Sequence, residues 1–228
     1  MIPSEELKED KSDHHGHHHC ASERCDKCDS ELKHTIYCTA CEKIQQYNKT
    51  MNYFSIFGVS PGYDIDKKEV TAAFERLIFA LHPDMYVNGS KEDQALSLSH
   101  TALLYEAKET LFYPFKRGRY LLSLLMPGFD GMIPQPPQAF VLEMFEIQEE
   151  LDLVQEGSGS LKQTEARINL LLQEIDEALS ADFKAYIPNR EDKMTAGKIL
   201  SNLAKLKFLD NLGERIRMIG KNLRDNLN

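Results

Sequence analysis

Two cysteine pairs and one tripeptide carry most of the chemistry legible in this chain. Cys25-x-x-Cys28 and Cys38-x-x-Cys41 offer four thiols in two knuckles joined by a short polar stretch. Four thiolates at this spacing suit one tetrahedral Zn²⁺ in a closed structural site, because zinc lacks redox chemistry and takes sulfur readily. A redox dithiol or an iron–sulfur site would draw on the same residues. Apart from Ile36 and Tyr37 the segment has almost no apolar side chains. Metal is therefore expected to supply most of its folding energy. Cys20 and His34 stand nearby, but two intact pairs make neither necessary as a ligand.

The tripeptide is His82-Pro83-Asp84. It follows an apolar-periodic run from Val70 to Leu81 and precedes a break at Asn88-Gly89-Ser90. Pro83 ends the helix, since it disfavours helical geometry in His82 and lacks an amide for the ladder. On the bland reading this is a helix stop with a capping acid. On the functional reading it is a stiff turn offering the Asp84 carboxylate to a partner arginine in a charge-assisted pair. The chain shows no Gly-rich phosphate loop and no nucleophile–base arrangement, so no catalytic residue is assigned.

The elements that must position these groups read as helices. Tyr53, Phe54 and Phe57 fall at helical spacing in a short first helix ended by Gly58. Asp66 is an N-cap with Glu69 three residues on, approximating a capping box. Val70, Ala73, Phe74, Leu77 and Leu81 form the core face of the helix that follows. Ser90 opens a third helix ending near Phe112, its buried face expected at Leu96, His100, Leu103, Ala107, Thr110 and Leu111. Pro114 breaks it, and a short fourth helix carries Arg117, Arg119, Tyr120 and Leu121. Pro127-Gly128, Asp130-Gly131 and three further prolines mark a linker over 127–136. Beyond it, helices are expected from Pro137 towards Glu156, from Leu161 to Tyr186 and from Asp192 to Leu223. Three helices with short connections imply an antiparallel bundle with coiled-coil character. No strand pattern is evident outside the cysteine knuckles.

Composition narrows the function classes. The chain has 228 residues, is 42% hydrophobic and 28% charged, and carries a formal charge of −9. That suits a soluble, helix-rich protein that meets other proteins. It argues against a nucleic-acid binder, which needs a basic face, and no apolar run is long enough for a membrane span. The first residues hold no signal-peptide core and are acidic rather than Arg-rich, so a cytoplasmic location is expected, with the mitochondrial matrix as the alternative. Residues 1–19, with their tract of histidines, read as a disordered tail with some capacity for transient metal capture.

MNYFSIFGV, the HPD tripeptide and Ala107–Leu122 (AKETLFYPFKRGRYLL) resemble the J domain of the HscB/Jac family of iron–sulfur co-chaperones. Pro114 followed by Arg117 and Tyr120-Leu121-Leu122 is characteristic of that family. FVLEMFEIQEELD and LKFLDNL resemble its C-terminal bundle, so the likeness covers about Met51 to Asn228. The resemblance implies an all-α chain: a small four-cysteine zinc module over 20–48, a four-helix J domain over 51–126, and a three-helix bundle over 137–228. It implies that His82, Pro83 and Asp84, helped by Arg76, engage an HscA/DnaK-type chaperone and stimulate its ATPase. The protein itself would catalyse nothing. The bundle would hold an IscU-type cluster scaffold through Val141, Leu142, Phe145, Glu146, Glu149 and Phe208. A J protein for another client, or a metal-binding redox module, are the alternatives. Self-association stays open.

Two local features bear on that expectation. The helix before HPD is usually rich in bases that steer it to an acidic chaperone surface. Here it reads FERLIFAL, with Arg76 its only base, Lys67 and Lys68 near its start, and Met85 where a base is common. Ile78 and Phe79 are apolar candidates for that contact, burial being the alternative. In the first bundle helix, Phe140, Met144, Ile147 and Leu151 cluster within about 60° at about 100° per residue. Val141, Leu142 and Phe145 fall on a second apolar face edged by Glu146 and Glu149. A bundle helix needs one buried stripe, so the second either packs on the J domain or binds a protein. Phe208 is expected to point outward from the last helix.

Overall fold

The computed structural model describes residues 24–33, 36–47 and 51–225. The His-rich tail, Cys20 and His34 lie outside the described residues. Among the described residues, seven helices follow a two-stranded hairpin of β1 (Tyr37–Cys38) and β2 (Lys43–Ile44). The helices are α1 (Tyr53–Phe57), α2 (Lys67–Leu81), α3 (Lys91–Phe112), α4 (Pro114–Leu125), α5 (Gln138–Gln155), α6 (Leu161–Tyr186) and α7 (Lys193–Asp225). A 3-10 turn, Pro83–Tyr86, connects α2 to α3. None of the described helices is long and apolar enough to cross a membrane.

Local chemistry accounts for the helix ends. Asn52 and Ser55 form a reciprocal capping box at α1, and Gly58 closes it at φ 71°, a left-handed conformation that glycine adopts without strain. At α2 the Asp66 carboxylate accepts from the amides of Lys68 and Glu69. The box expected there is thus a simple cap, and the reciprocal one lies a helix earlier. Ser90 caps α3 through the Asp93 amide. Tyr113 turns extended, and Pro114 takes the first turn of α4, where a missing amide costs nothing. Asp192 caps α7, accepting from the Met194 and Thr195 amides.

The core face of α2 is the expected one: Val70, Ala73, Phe74, Leu77 and Leu81 are buried. On α3 the buried face is Ser97, His100, Leu104, Ala107 and Leu111. Leu103, Leu96 and Thr110 are only half-buried, and Leu104, missed from sequence, is fully buried. The two faces share His100, Ala107 and Leu111, and Ser97 is accepted inside because its hydroxyl has a backbone partner.

Helices α5, α6 and α7 run up, down and up. Arg167 on α6 reaches Glu150, Glu146 and Glu143 on α5, while Phe140 and Asp152 of α5 face Phe208 and Arg215 of α7 in parallel order. One continuous apolar cluster joins this bundle to α1–α4 and to the hairpin. At the seam, Gly118 of α4 faces Leu203, Tyr63 and Phe183 so closely that an added Cβ would lie 2.6 Å from Leu203 Cδ2. The Tyr63 ring stacks on Phe183 at 5.2 Å, and its hydroxyl donates to Asp176 at 2.7 Å.

Candidate interaction sites and metal centre

The four cysteines converge. Their sulfurs all lie within 4.8 Å of one another, with Cys25–Cys41 at 3.6 Å and Cys28–Cys38 at 3.7 Å. A tetrahedral ion with metal–sulfur bonds of about 2.3 Å sets its sulfurs about 3.8 Å apart, so the set fits. Each knuckle is the same turn. The Asp29 amide donates to the Cys25 carbonyl and the Glu42 amide to the Cys38 carbonyl, both at 2.9 Å. Asp29 and Glu42 then take φ values of 58° and 57°, which curls the backbone around the sulfurs.

The thiols have unequal proton affinities. The Ser30 hydroxyl beside Cys28 brings that thiol down to about 6. Burial, reinforced by the neighbouring sulfurs, pushes Cys41 up to about 12. Four sulfurs this close resist full ionisation unless a cation joins them.

The module is not as poor in core as its sequence implies. Ile36, Ile44 and Gln45 are buried, and the two isoleucines belong to the main apolar cluster. The Gln45 carbonyl meets His100 Nε2 at 2.7 Å inside that packing. A carbonyl only accepts, so the proton sits on Nε2. Burial pushes the His100 pKa down, which keeps the ring neutral.

The His82–Asp84 turn stands free at the surface. His82 has extended backbone, and its Nδ1 accepts from the Asp84 amide at 3.3 Å. The Asp84 carboxylate is 85% exposed and lies 3.5 Å from His82 Nδ1. Arg76 is exposed as well. The two apolar candidates separate: Ile78 packs against the core, whereas Phe79 is 74% exposed.

On α5 the expected core stripe of Phe140, Met144, Ile147 and Leu151 is buried. The second stripe is uncovered: Leu142 is 58% and Phe145 56% exposed, and Leu153 continues it. It does not pack on the N-terminal helices. Val141 is half-buried at its edge, and Glu149 is exposed. The Glu146 carboxylate accepts from Arg167 Nη2 at 3.0 Å. Phe208 is not freely outward: it is half-buried and meets Phe140 edge to face, with ring centroids 6.3 Å apart. Sequence reasoning missed Arg167, which gathers Glu143, Glu146 and Glu150 into one cluster. The only signal was that Arg167 is the one arginine on two helices rich in Glu and Asp.

Residues 136–217 match the family model described as the HSCB C-terminal oligomerisation domain. The C-terminal part of this chain is therefore similar to that domain. A crystal structure of human co-chaperone protein HscB superposes with a TM-score of 0.68 at 24% identity, covering 86% of this chain and 98% of that one. Chaperone HscB from Vibrio cholerae gives 0.62 at 23% identity, covering 76% and 99%. The likeness in fold therefore spans the N-terminal helices as well as the bundle. The four-cysteine cluster is a site compatible with metal binding.

Proposed function

We propose that this protein is a co-chaperone of iron–sulfur cluster assembly. Its His82–Asp84 turn stimulates the ATPase of an HscA/DnaK-type chaperone, and its bundle carries an IscU-type scaffold to that chaperone. The observation that carries the reading is the uncovered Leu142–Phe145 stripe on an HscB-type bundle. An exposed apolar face rimmed by Glu146 and Glu149 supports a protein partner, since it combines desolvatable area with a charged border.

At the other end, Asp84 supplies a solvent-accessible carboxylate for a chaperone arginine. Arg76 and Phe79 are exposed on the preceding helix, α2. With so few bases on that helix, contact relies more on Phe79 than on electrostatic steering. In the knuckles, Cys25, Cys28, Cys38 and Cys41 would hold Zn²⁺ in a structural role. A hard-oxygen cation is disfavoured by an all-sulfur donor set.

The decisive assay measures chaperone ATPase rates with the purified protein, with and without a cluster scaffold. Stimulation by the protein alone, rising further with scaffold, is the expected result. Stimulation without any scaffold effect would leave a J-type co-chaperone with another client. No stimulation at all would refute the reading.

A further inference from the structure

We propose that Gln45 and His100 couple the four-cysteine centre to the His82–Asp84 turn, so that metal occupancy fixes the order of that turn. The functional meaning of this coupling rests on the turn being the chaperone-facing one. The coupling itself rests on two sets of hydrogen bonds joined through one turn of α3, between His100 and the knuckles and between Ser97, Thr101 and the end of α2.

Gln45 is held by both knuckles. Its Oε1 accepts from the Asp26 amide at 3.0 Å, between the first pair of cysteines. Its Nε2 donates to the Lys43 carbonyl at 3.1 Å, and its own amide donates to the Ile36 carbonyl at 3.0 Å, flanking the second pair. Its carbonyl accepts from His100 at 2.7 Å, and both residues are buried. Gln45 thus has a fixed place only while both knuckles keep their relative position.

His100 sits on α3 beside Ser97 and Thr101, one turn and one residue away. Both of these hydroxyls donate to the Leu81 carbonyl, at 2.6 Å and 3.3 Å. Leu81 is the last residue of α2, immediately before the turn. Its carbonyl cannot be served by a continuing helix, because the amide four residues on, Met85, donates to His82 instead. A buried carbonyl left unpaired would cost about 1–3 kcal/mol, so α3 is what holds the end of α2 in place. Tyr86 then ties the far side of the turn back to the Ala80 carbonyl at 3.0 Å. The turn is therefore aimed from α3, and α3 is pinned at His100 by the knuckles.

The metal matters because β1 and β2 are two residues each, too short to stand alone. An ion joining all four sulfurs supplies the cross-links that such a hairpin lacks.

Amide hydrogen exchange on the full chain tests this, comparing the Zn²⁺-loaded protein with protein stripped by EDTA. In the wild type, stripping should speed exchange across Leu81–Val87 at least tenfold as well as in the knuckles. His100→Gln, whose amide can reach the same carbonyl, should behave similarly. His100→Leu should exchange fast over Leu81–Val87 even when loaded, while its knuckle amides stay protected. Wild-type exchange over Leu81–Val87 that ignores metal would overturn the proposal, as would His100→Leu retaining the full metal response. If His100→Leu fails to fold, the wild-type comparison decides alone. An error in the functional reading would show elsewhere, as absent ATPase stimulation by loaded wild type.

Discussion

The Arg117 guanidinium lies 4.8 Å from the centroid of the Tyr63 ring, sealed between the N-terminal helices and the bundle. Arg117 Nη1 donates to the Leu111 carbonyl at 2.6 Å, so the charge is anchored from its own side of the seam. Burial holds the guanidinium below its usual pKa, while Tyr63 and the carboxylates of Asp176 and Asp64 partly offset that. A buried cation over a ring whose hydroxyl binds Asp176 adds a polar link to the apolar cluster that joins the two helical sets.

Filling that seam should therefore destabilise the whole molecule. Gly118→Ala forces Leu203 aside, and overpacking of this kind costs about 1–3 kcal/mol. Tyr63→Phe, which loses only the hydroxyl bond to Asp176, should cost about 1 kcal/mol. Urea denaturation of both variants gives the order; equal stability of Gly118→Ala and wild type would refute the close approach.

Acid should weaken the same seam. The Lys184 ammonium, together with the Ser180 hydroxyl, holds the Asp64 carboxyl below its ordinary value of 3.8. A depressed folded pKa stabilises the fold above the unfolded value, and that contribution is lost as pH falls through the folded one. The stability gap between wild type and Asp64→Asn should thus be full above about pH 5 and shrink in stronger acid. Both side chains are more than half exposed, so added salt should narrow the gap too. A gap independent of pH would show that the pair contributes nothing.

Asp84→Asn should abolish chaperone ATPase stimulation and leave the fold intact. The side chain is exposed, and a surface change of this kind moves stability by about 0.5 kcal/mol at most. Thermal melts beside ATPase rates test both halves; undiminished stimulation would remove Asp84 from the mechanism.

Phe79→Ala should raise the concentration of protein needed for half-maximal stimulation several-fold without changing the plateau. Its ring is exposed on the helix leading into the turn. The shift should survive high salt, because it reports lost apolar contact rather than lost steering. A shift that disappears in salt would instead assign the contact to Arg76.

Val141→Ala combined with Phe145→Ala should weaken scaffold binding at least tenfold, about 1.4 kcal/mol, while stimulation by the protein alone is unchanged. Calorimetry with an IscU-type scaffold measures it; equal affinity would place the scaffold elsewhere on the bundle.

Much of this protein is written locally in its chain. Gly58, Asp66, Ser90, Pro114 and Asp192 punctuate the helices through backbone hydrogen bonding within a few residues, so sequence alone placed those ends. The cysteine knuckles are equally local, as each closes its own tight turn. The core stripes of α2 and α5 repeat regularly enough to identify which side is buried. Whether a second apolar stripe is covered depends on what the rest of the chain brings to it. Only the tertiary structure decided that Leu142 and Phe145 stay exposed, that Phe208 leans on Phe140, and that Leu104 rather than Leu103 fills the centre of α3. It also decided that Gln45 meets His100 across 55 residues and that Arg117 is buried over Tyr63. Those contacts join groups distant in the chain, and their energy depends on shape and desolvation at the point of meeting, which no local pattern of residues encodes.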